Sequence, residues 1–196
     1  ESGAEAWIVA CTTASHVSVT KVLLEAGKTV LLEKPVADNL DEADSLQSLV
    51  RPDSSNLMIG HIVLFNSEFR ELCDELEQRS PIVYISAYRH RPLTLSKDYP
   101  GETPFHLTMV HDLYCALALT GRDEPVHFSA QTHHNDEGDC DLAVAQLQWE
   151  DSRIATFSAA FLTPAGMPPD GFDRLEVYGR GWAARLESNP RPIQIW

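Results

Sequence analysis

Apolar residues in the first sixty positions come in short blocks separated by polar, turn-forming segments. Ala6–Cys11 reads as a buried strand. Ser15–Ala26 follows at helical spacing, with Val19, Val22, Leu23 and Ala26 on one stripe, Ser15 as N-cap and Gly27 just past the last turn. Thr29–Leu32 is the next strand. Leu40–Val50 reads as a second helix, with Ala43, Leu46 and Val50 inward, Asp38 or Asn39 as cap and acids in its first turn. Asn56–Leu64 opens with a third strand. Strands alternating with helices through short connections predict a parallel sheet with right-handed crossovers.

Beyond about Phe65 the period changes. Ser67–Gln78 is spaced as an amphipathic helix with Phe69, Leu72, Cys73 and Leu76 inward, and Ile82–Arg89 alternates as a half-buried strand does. Arg91–Pro104 reads as a loop and Leu107–Leu119 as a helix ended by Gly121. Five short apolar runs follow: Val126–Ala130, Asp141–Trp149, Arg153–Phe161, Arg174–Tyr178 and Ala183–Glu187. Joined by turns, they predict an antiparallel sheet. The expected fold class is α/β plus α+β. Part of a doubly wound parallel sheet spans residues 1–64, and a mainly antiparallel open-sheet domain with helices on one face spans residues 65–196. Trp149, Phe157 and Phe161 are expected in a core or an interface.

Composition narrows the function classes. The 196 residues are 43% hydrophobic and 22% charged, as in soluble globular proteins. A formal net charge of -14 opposes binding to nucleic-acid backbones and anionic membrane surfaces, so neither is an expected partner. No apolar run approaches membrane-spanning length and no amino-terminal signal pattern is present, so a cytoplasmic location is expected. Cys11, Cys73, Cys115 and Cys140 form no CxxC pair and lie in or beside apolar patterns, which predicts buried reduced thiols. The run from His133 to Asp141 has metal-ligating residue types but lies between two predicted strands, without preorganised spacing. An exposed acidic turn is expected there, and no metal site is assigned. The chain opens at Glu1 without a methionine, immediately before a strand, so a piece of a longer protein is expected.

Glu33-Lys34-Pro35 carries the sharpest chemical signal. It follows an apolar strand at the carboxyl end, where open α/β sheets bind ligands. A lysine held there is partly shielded from water and suited to proton transfer. The same tripeptide also reads as an ordinary strand exit with a surface ion pair. His111 reads as a pocket residue or as a histidine satisfied at a helix start, and His16 as a pocket residue or a first-turn helix residue. Arg89-His90-Arg91 is a basic spot suited to a phosphate or carboxylate.

In their order along the chain, these residues resemble the glucose–fructose oxidoreductase / inositol dehydrogenase (Gfo/Idh/MocA) family. Trp7–His16 resembles its fourth Rossmann strand and the loop facing the nicotinamide. Leu23–Pro35 is similar to its helix, strand and Glu-Lys-Pro signature, and Gly60–Asn66 to the segment entering its second domain. His111-Asp112 with the following helix resembles its catalytic-histidine helix, and Leu175–Gly179 a late strand. The resemblance implies a partial Rossmann-type domain and hydride transfer between NAD or NADP and a hydroxyl-bearing carbon of a sugar, nucleotide-sugar or cyclitol. It implies Lys34 and His111 as catalytic residues. Cys11, Thr12, Thr13, His16, Glu33, Lys34 and Pro35 would hold the cofactor, with a cis peptide before Pro35. His61, Arg89 and His111 would contact substrate.

Two departures bear on that expectation. No G-x-G-x-x-G occurs, so the chain alone is expected to bind dinucleotide poorly. Leu107 stands where the family commonly has an aspartate one turn before the histidine, and leucine cannot orient an imidazole. Both features suit an alternative, a non-catalytic binding or oligomerisation module that keeps the fold. Homo-oligomerisation through the second-domain sheet is expected because a half sheet exposes an edge and a face.

Overall fold

The computed structural model describes residues 3–164, 167, 172–187 and 194–195, the last two by their backbone. The chain forms two compact units, Glu1–His61 and Ile62–Trp196. The division falls just before Ile62–Phe65, a 3-10 turn whose Val63 joins the core of the second unit.

The first unit contains β1 (Ala6–Val9), α1 (Thr13–Glu25), β2 (Thr29–Leu32), α2 (Leu40–Asp44) and β3 (Leu57–Ile59). β2 lies between β1 and β3, all parallel, with Val9 beside Leu32 and Leu32 beside Ile59. Val9, Leu24, Val30, Leu32 and Leu46 make its core. Each such fully buried side chain contributes about 1.5–3 kcal/mol of hydrophobic free energy.

Three expectations need correction here. β1 ends at Val9 and is an edge strand, so Ile8 is exposed rather than buried and Cys11 lies exposed beyond it. α1 turns His16, Thr20 and Leu24 inward, at successive four-residue steps, and leaves Val19 and Val22 exposed. The expected second helix stops after one turn. Asn39 caps it by accepting the Glu42 N–H at 2.9 Å, the Ser45 hydroxyl donates back to the Glu42 carbonyl, and a 3-10 turn follows at Gln47–Leu49. Leu46 remains buried, so the apolar pattern found the core position without the right geometry.

The second unit begins with α3 (Ser67–Leu76), β4 (Ile82–Pro92) and α4 (Leu95–Asp98). One π-helical turn, Phe105–Met109, runs into α5 (Val110–Leu119). There follow β5 (His127–His134), β6 (Cys140–Gln148), β7 (Ile154–Thr163), β8 (Phe172–Gly179), β9 (Trp182–Leu186) and β10 (Gln194–Ile195). The sheet order is β10-β9-β8-β4-β7-β6-β5, antiparallel at every step except the parallel pair β4–β7. The core of this unit joins Cys115 and Ala116 of α5 to small sheet residues, Ala87, Ala143, Ala145, Ala155 and Ala159, and to the larger Ile85, Phe157, Leu175 and Val177, with α5 in contact with β7. The opposite face is polar and aromatic, with Tyr84 stacked on Tyr178 at 5.8 Å between ring centres. Trp149, Phe157 and Phe161 are core residues.

The helix expected over Leu107–Leu119 is therefore two geometries in series. His133 and His134 lie on β5, not in the turn after it, because that strand runs longer than its apolar run. Arg91 and Pro92 likewise extend β4 into the expected loop.

Candidate functional site

Since β1, β2 and β3 are parallel and in register, their carboxyl ends lie side by side. Cys11–Thr13, Glu33–Pro35 and Gly60–His61 therefore emerge along one edge of the sheet. Main-chain bonds fix their spacing: Glu33 N–H donates to Val9 O at 2.9 Å and Gly60 N–H to Leu32 O at 2.8 Å.

His16 ties two of these segments together. Buried in the first turn of α1, its ring places Nδ1 2.7 Å from the Pro35 carbonyl oxygen and Nε2 3.1 Å from that of Cys11. The Lys34–Pro35 peptide is cis, as the resemblance implied. Thr12 and Cys11 are exposed, while Thr13, Glu33, Lys34 and Pro35 are half-buried.

Glu33 and Gly60 form the tightest approach on this edge. A Cβ at position 60 would lie 3.2 Å from Glu33 Oε1 and 3.3 Å from Oε2, so only glycine lets the carboxylate rest there without a shift. Glu33 Oε2 also accepts the Lys34 N–H at 3.3 Å. Beyond Gly60, His61 is buried. Burial, with the positive charge of Lys34 second, pushes its pKa from 6.5 down to about 4. Its imidazole is therefore uncharged at neutral pH.

This edge offers a carboxylate that accepts from hydroxyls, an ammonium group, a neutral imidazole and an exposed threonine hydroxyl. The Glu33 carboxylate, seated against Gly60, can accept hydrogen bonds from the hydroxyls of a ligand. The chain contains no G-x-G-x-x-G to receive a pyrophosphate.

In the second unit, half-buried His111 stands in the first turn of α5. Its neighbour Asp112 points into the protein, where Arg89 of β4 grips it in a fork: Nε donates to Oδ2 at 3.1 Å and Nη2 to Oδ1 at 2.8 Å. Arg89 Nη1 donates to Asp173 Oδ2 at 2.8 Å; Asp173 is its register partner on β8 and also holds Arg91. Burial alone would make Arg89 a weaker base, but the Asp112 and Asp173 carboxylates carry its pKa above the ordinary value. Leaving one member of such a buried pair without its partner costs about 3–5 kcal/mol. Arg89 thus lies beneath α5 with its guanidinium engaged by two protein carboxylates.

Sequence reasoning passed over Asp112, Asp173 and Gly60 as site residues. The pairing of β4 with β8, which brings Asp173 opposite Arg89, leaves no local trace in the sequence. Among the described residues, no group of three or more His, Cys, Asp or Glu is placed to hold a metal. His133 Nδ1 faces Asp141 Oδ1 at 2.7 Å, with its side chain mostly exposed. No helix among the described residues is long and apolar enough to cross a membrane.

Comparison with known proteins agrees with this division. Residues 1–61 match the GFO/IDH/MocA model described as an oxidoreductase family with an NAD-binding Rossmann fold, and residues 58–183 match the GFO/IDH/MocA C-terminal domain. A myo-inositol dehydrogenase of Streptomyces leeuwenhoekii is 27% identical over 96% of this chain and 59% of its own length. The UDP-N-acetylglucosamine 3-dehydrogenase of Acidithiobacillus ferrooxidans is 29% identical over 76% of this chain and 46% of its own length. One crystal form of that enzyme superposes with a TM-score of 0.84 at 25% identity, covering 98% of this chain and 60% of that one. The chain thus spans less than two thirds of the length of these relatives. With one family model on each unit and the second covering well over half its length, the chain belongs to the GFO/IDH/MocA oxidoreductase family.

Proposed function

We propose that the protein to which this chain belongs catalyses NAD- or NADP-dependent oxidation or reduction at a hydroxyl-bearing carbon of a sugar, nucleotide-sugar or cyclitol. The reading is carried by Glu33-Lys34-Pro35 at the carboxyl end of the central strand β2, in a member of this family. Two relatives named for inositol and UDP-N-acetylglucosamine set the substrate class to be tested.

When bound, the nicotinamide supplies or accepts the hydride. Glu33 accepts ribose hydroxyls, and the Cys11–Thr13 segment with His16 and Pro35 shapes the cofactor's surroundings. Lys34 holds the substrate oxygen by charge and hydrogen bonding. His111 exchanges the hydroxyl proton as acid or base. His61, neutral at pH 7, donates to or accepts from a substrate hydroxyl. Homo-oligomerisation through the open face of the second-unit sheet belongs to the same proposal.

The test uses the protein expressed at its full genomic length. Reduction of NAD or NADP is followed with myo-inositol, scyllo-inositol and UDP-N-acetylglucosamine, and the Lys34→Met variant serves as control. Turnover with one of these, lost in the variant, is expected. Saturable nucleotide binding without turnover of any polyol or sugar nucleotide would overturn the proposal in favour of a binding module.

A further inference from the structure

Arg89 has the chemistry of an anion-binding residue, yet its surroundings assign it a different task. The side chain is 8% exposed, and its partners Asp112 and Asp173 are 5% and 10% exposed. Three of its nitrogens already donate to those carboxylates. A substrate phosphate or carboxylate would have to displace a protein carboxylate held by a two-point fork, at the expense of leaving it buried and unpaired.

The fork instead controls the helix that carries His111. Arg89 projects from β4, which is paired on both sides by β7 and β8 and is therefore rigid. Consecutive helical residues point about 100° apart, so fixing the direction of Asp112 fixes that of His111. A two-point grip resists rotation of the helix about its axis, whereas a single hydrogen bond would not. Such a grip is needed here because α5 grows out of the π-helical turn Phe105–Met109, whose hydrogen-bond register differs from that of the α-helix. Leu107 in that turn has no side-chain polar atom with which to orient an imidazole.

The Asp173 contact completes the device. Asp173 sits opposite Arg89 on β8 and takes a second arginine, Arg91, so two carboxylates and two guanidiniums balance in charge. The cluster therefore acts on His111 through geometry rather than through a net field. We propose that Arg89, Asp112 and Asp173 are positioning residues that lock the rotation of α5 and so aim the His111 imidazole; this rests on the reading of His111 as the acid/base group.

The experiment compares wild type with Asp112→Asn and Arg89→Lys in the full-length protein, each checked for folding by circular dichroism and thermal melting. The primary readout is independent of turnover: the nitrogen and proton resonances of the His111 ring, and amide exchange in the first turn of α5. In folded variants the His111 signals are expected to shift and broaden, and exchange in that turn to quicken. With an active wild type, kcat is expected to fall on the order of 100-fold while KM changes little. Folded variants with unmoved His111 signals would overturn the proposal. So would Arg89→Lys raising KM for an anionic substrate at constant kcat, which would make Arg89 a substrate ligand. If Asp112→Asn and Arg89→Lys do not fold, Asp173→Asn decides: a moved His111 signal supports the device and an unmoved one overturns it. An inactive wild type whose His111 ring still responds to these variants would overturn the catalytic reading alone.

Discussion

The imidazole Nδ1 of His16 lies 2.7 Å from the carbonyl oxygen of Pro35, and through its other nitrogen the same ring reaches Cys11 O at 3.1 Å. One buried side chain thus spans the segments that follow β1 and β2. His16→Ala should destabilise the first unit by about 1–3 kcal/mol, because a buried ring that bridges the Pro35 and Cys11 carbonyls is removed. The exposed Cys11 thiol reports on the tether. Alkylation of Cys11 is expected to change rate in His16→Ala, while Cys115, fully buried and with its pKa pushed up by burial, stays unreactive until global unfolding. Unchanged Cys11 kinetics in a folded variant would show that the tether does not hold that segment.

Gly60→Ala isolates the contribution of the Glu33 carboxylate. The added Cβ would approach Oε1 to 3.2 Å, so the flexible carboxylate shifts by a few tenths of an ångström while the backbone stays in place. Stability should change by less than about 1 kcal/mol. The KM for the nicotinamide nucleotide should rise severalfold in the full-length protein, with kcat less affected. Equal KM values would exclude Glu33 as a cofactor contact.

His61 makes stability depend on pH in a defined direction. Its pKa is about 4 in the folded unit against an ordinary 6.5, so between these values the unfolded chain binds a proton that the folded chain refuses. The contribution of His61 to stability is therefore intact above pH 6.5 and is lost progressively as pH falls towards 4. Denaturation midpoints of wild type and His61→Gln should converge across this window, and removing the charge in Lys34→Met should raise the His61 pKa seen by proton resonance. Parallel pH profiles for wild type and His61→Gln would contradict the assignment.

Gly179→Ala tests packing where β8 turns into β9. A Cβ there would fall 2.0 Å from Trp182 Nε1, and the indole is fixed by its hydrogen bond to Ser80 O at 3.0 Å. The ring cannot yield freely, so a loss of about 1–3 kcal/mol or more is expected from overpacking, measured by urea denaturation. An unaltered midpoint would mean that β8 and β9 separate more easily than this contact allows.

Patterns that repeat within a few residues were legible in the sequence. β2 and the buried positions Leu46, Phe69 and Leu72 follow from apolar spacing, and the Glu33-Lys34-Pro35 strand exit follows from the strand before it. The inward stripe of α1 was misread because hydropathy favours Val19 and Val22, whereas the helix is oriented by a histidine whose partners are main-chain carbonyls. Arg89 read as available for ligand because its neutralisers lie 23 and 84 residues away and meet it only after the sheet forms. Period and composition report local geometry and burial. They do not report which charges a sheet register brings face to face.

Ala87, Ala155 and Ala159 of the sheet share one core with Cys115 and Ala116 of α5, the helix that brings Asp112 to Arg89. The volume of that core is an inherited dimension. Enlarging Ala87, Ala155 or Ala159 to valine is expected to overpack this core and strain the guanidinium fork, and a compensating loss of volume elsewhere in the core to relieve it. Among relatives that keep the ion pair, side-chain volumes at these core positions are expected to vary in a compensated way. Where the pair is lost, these positions are free to drift.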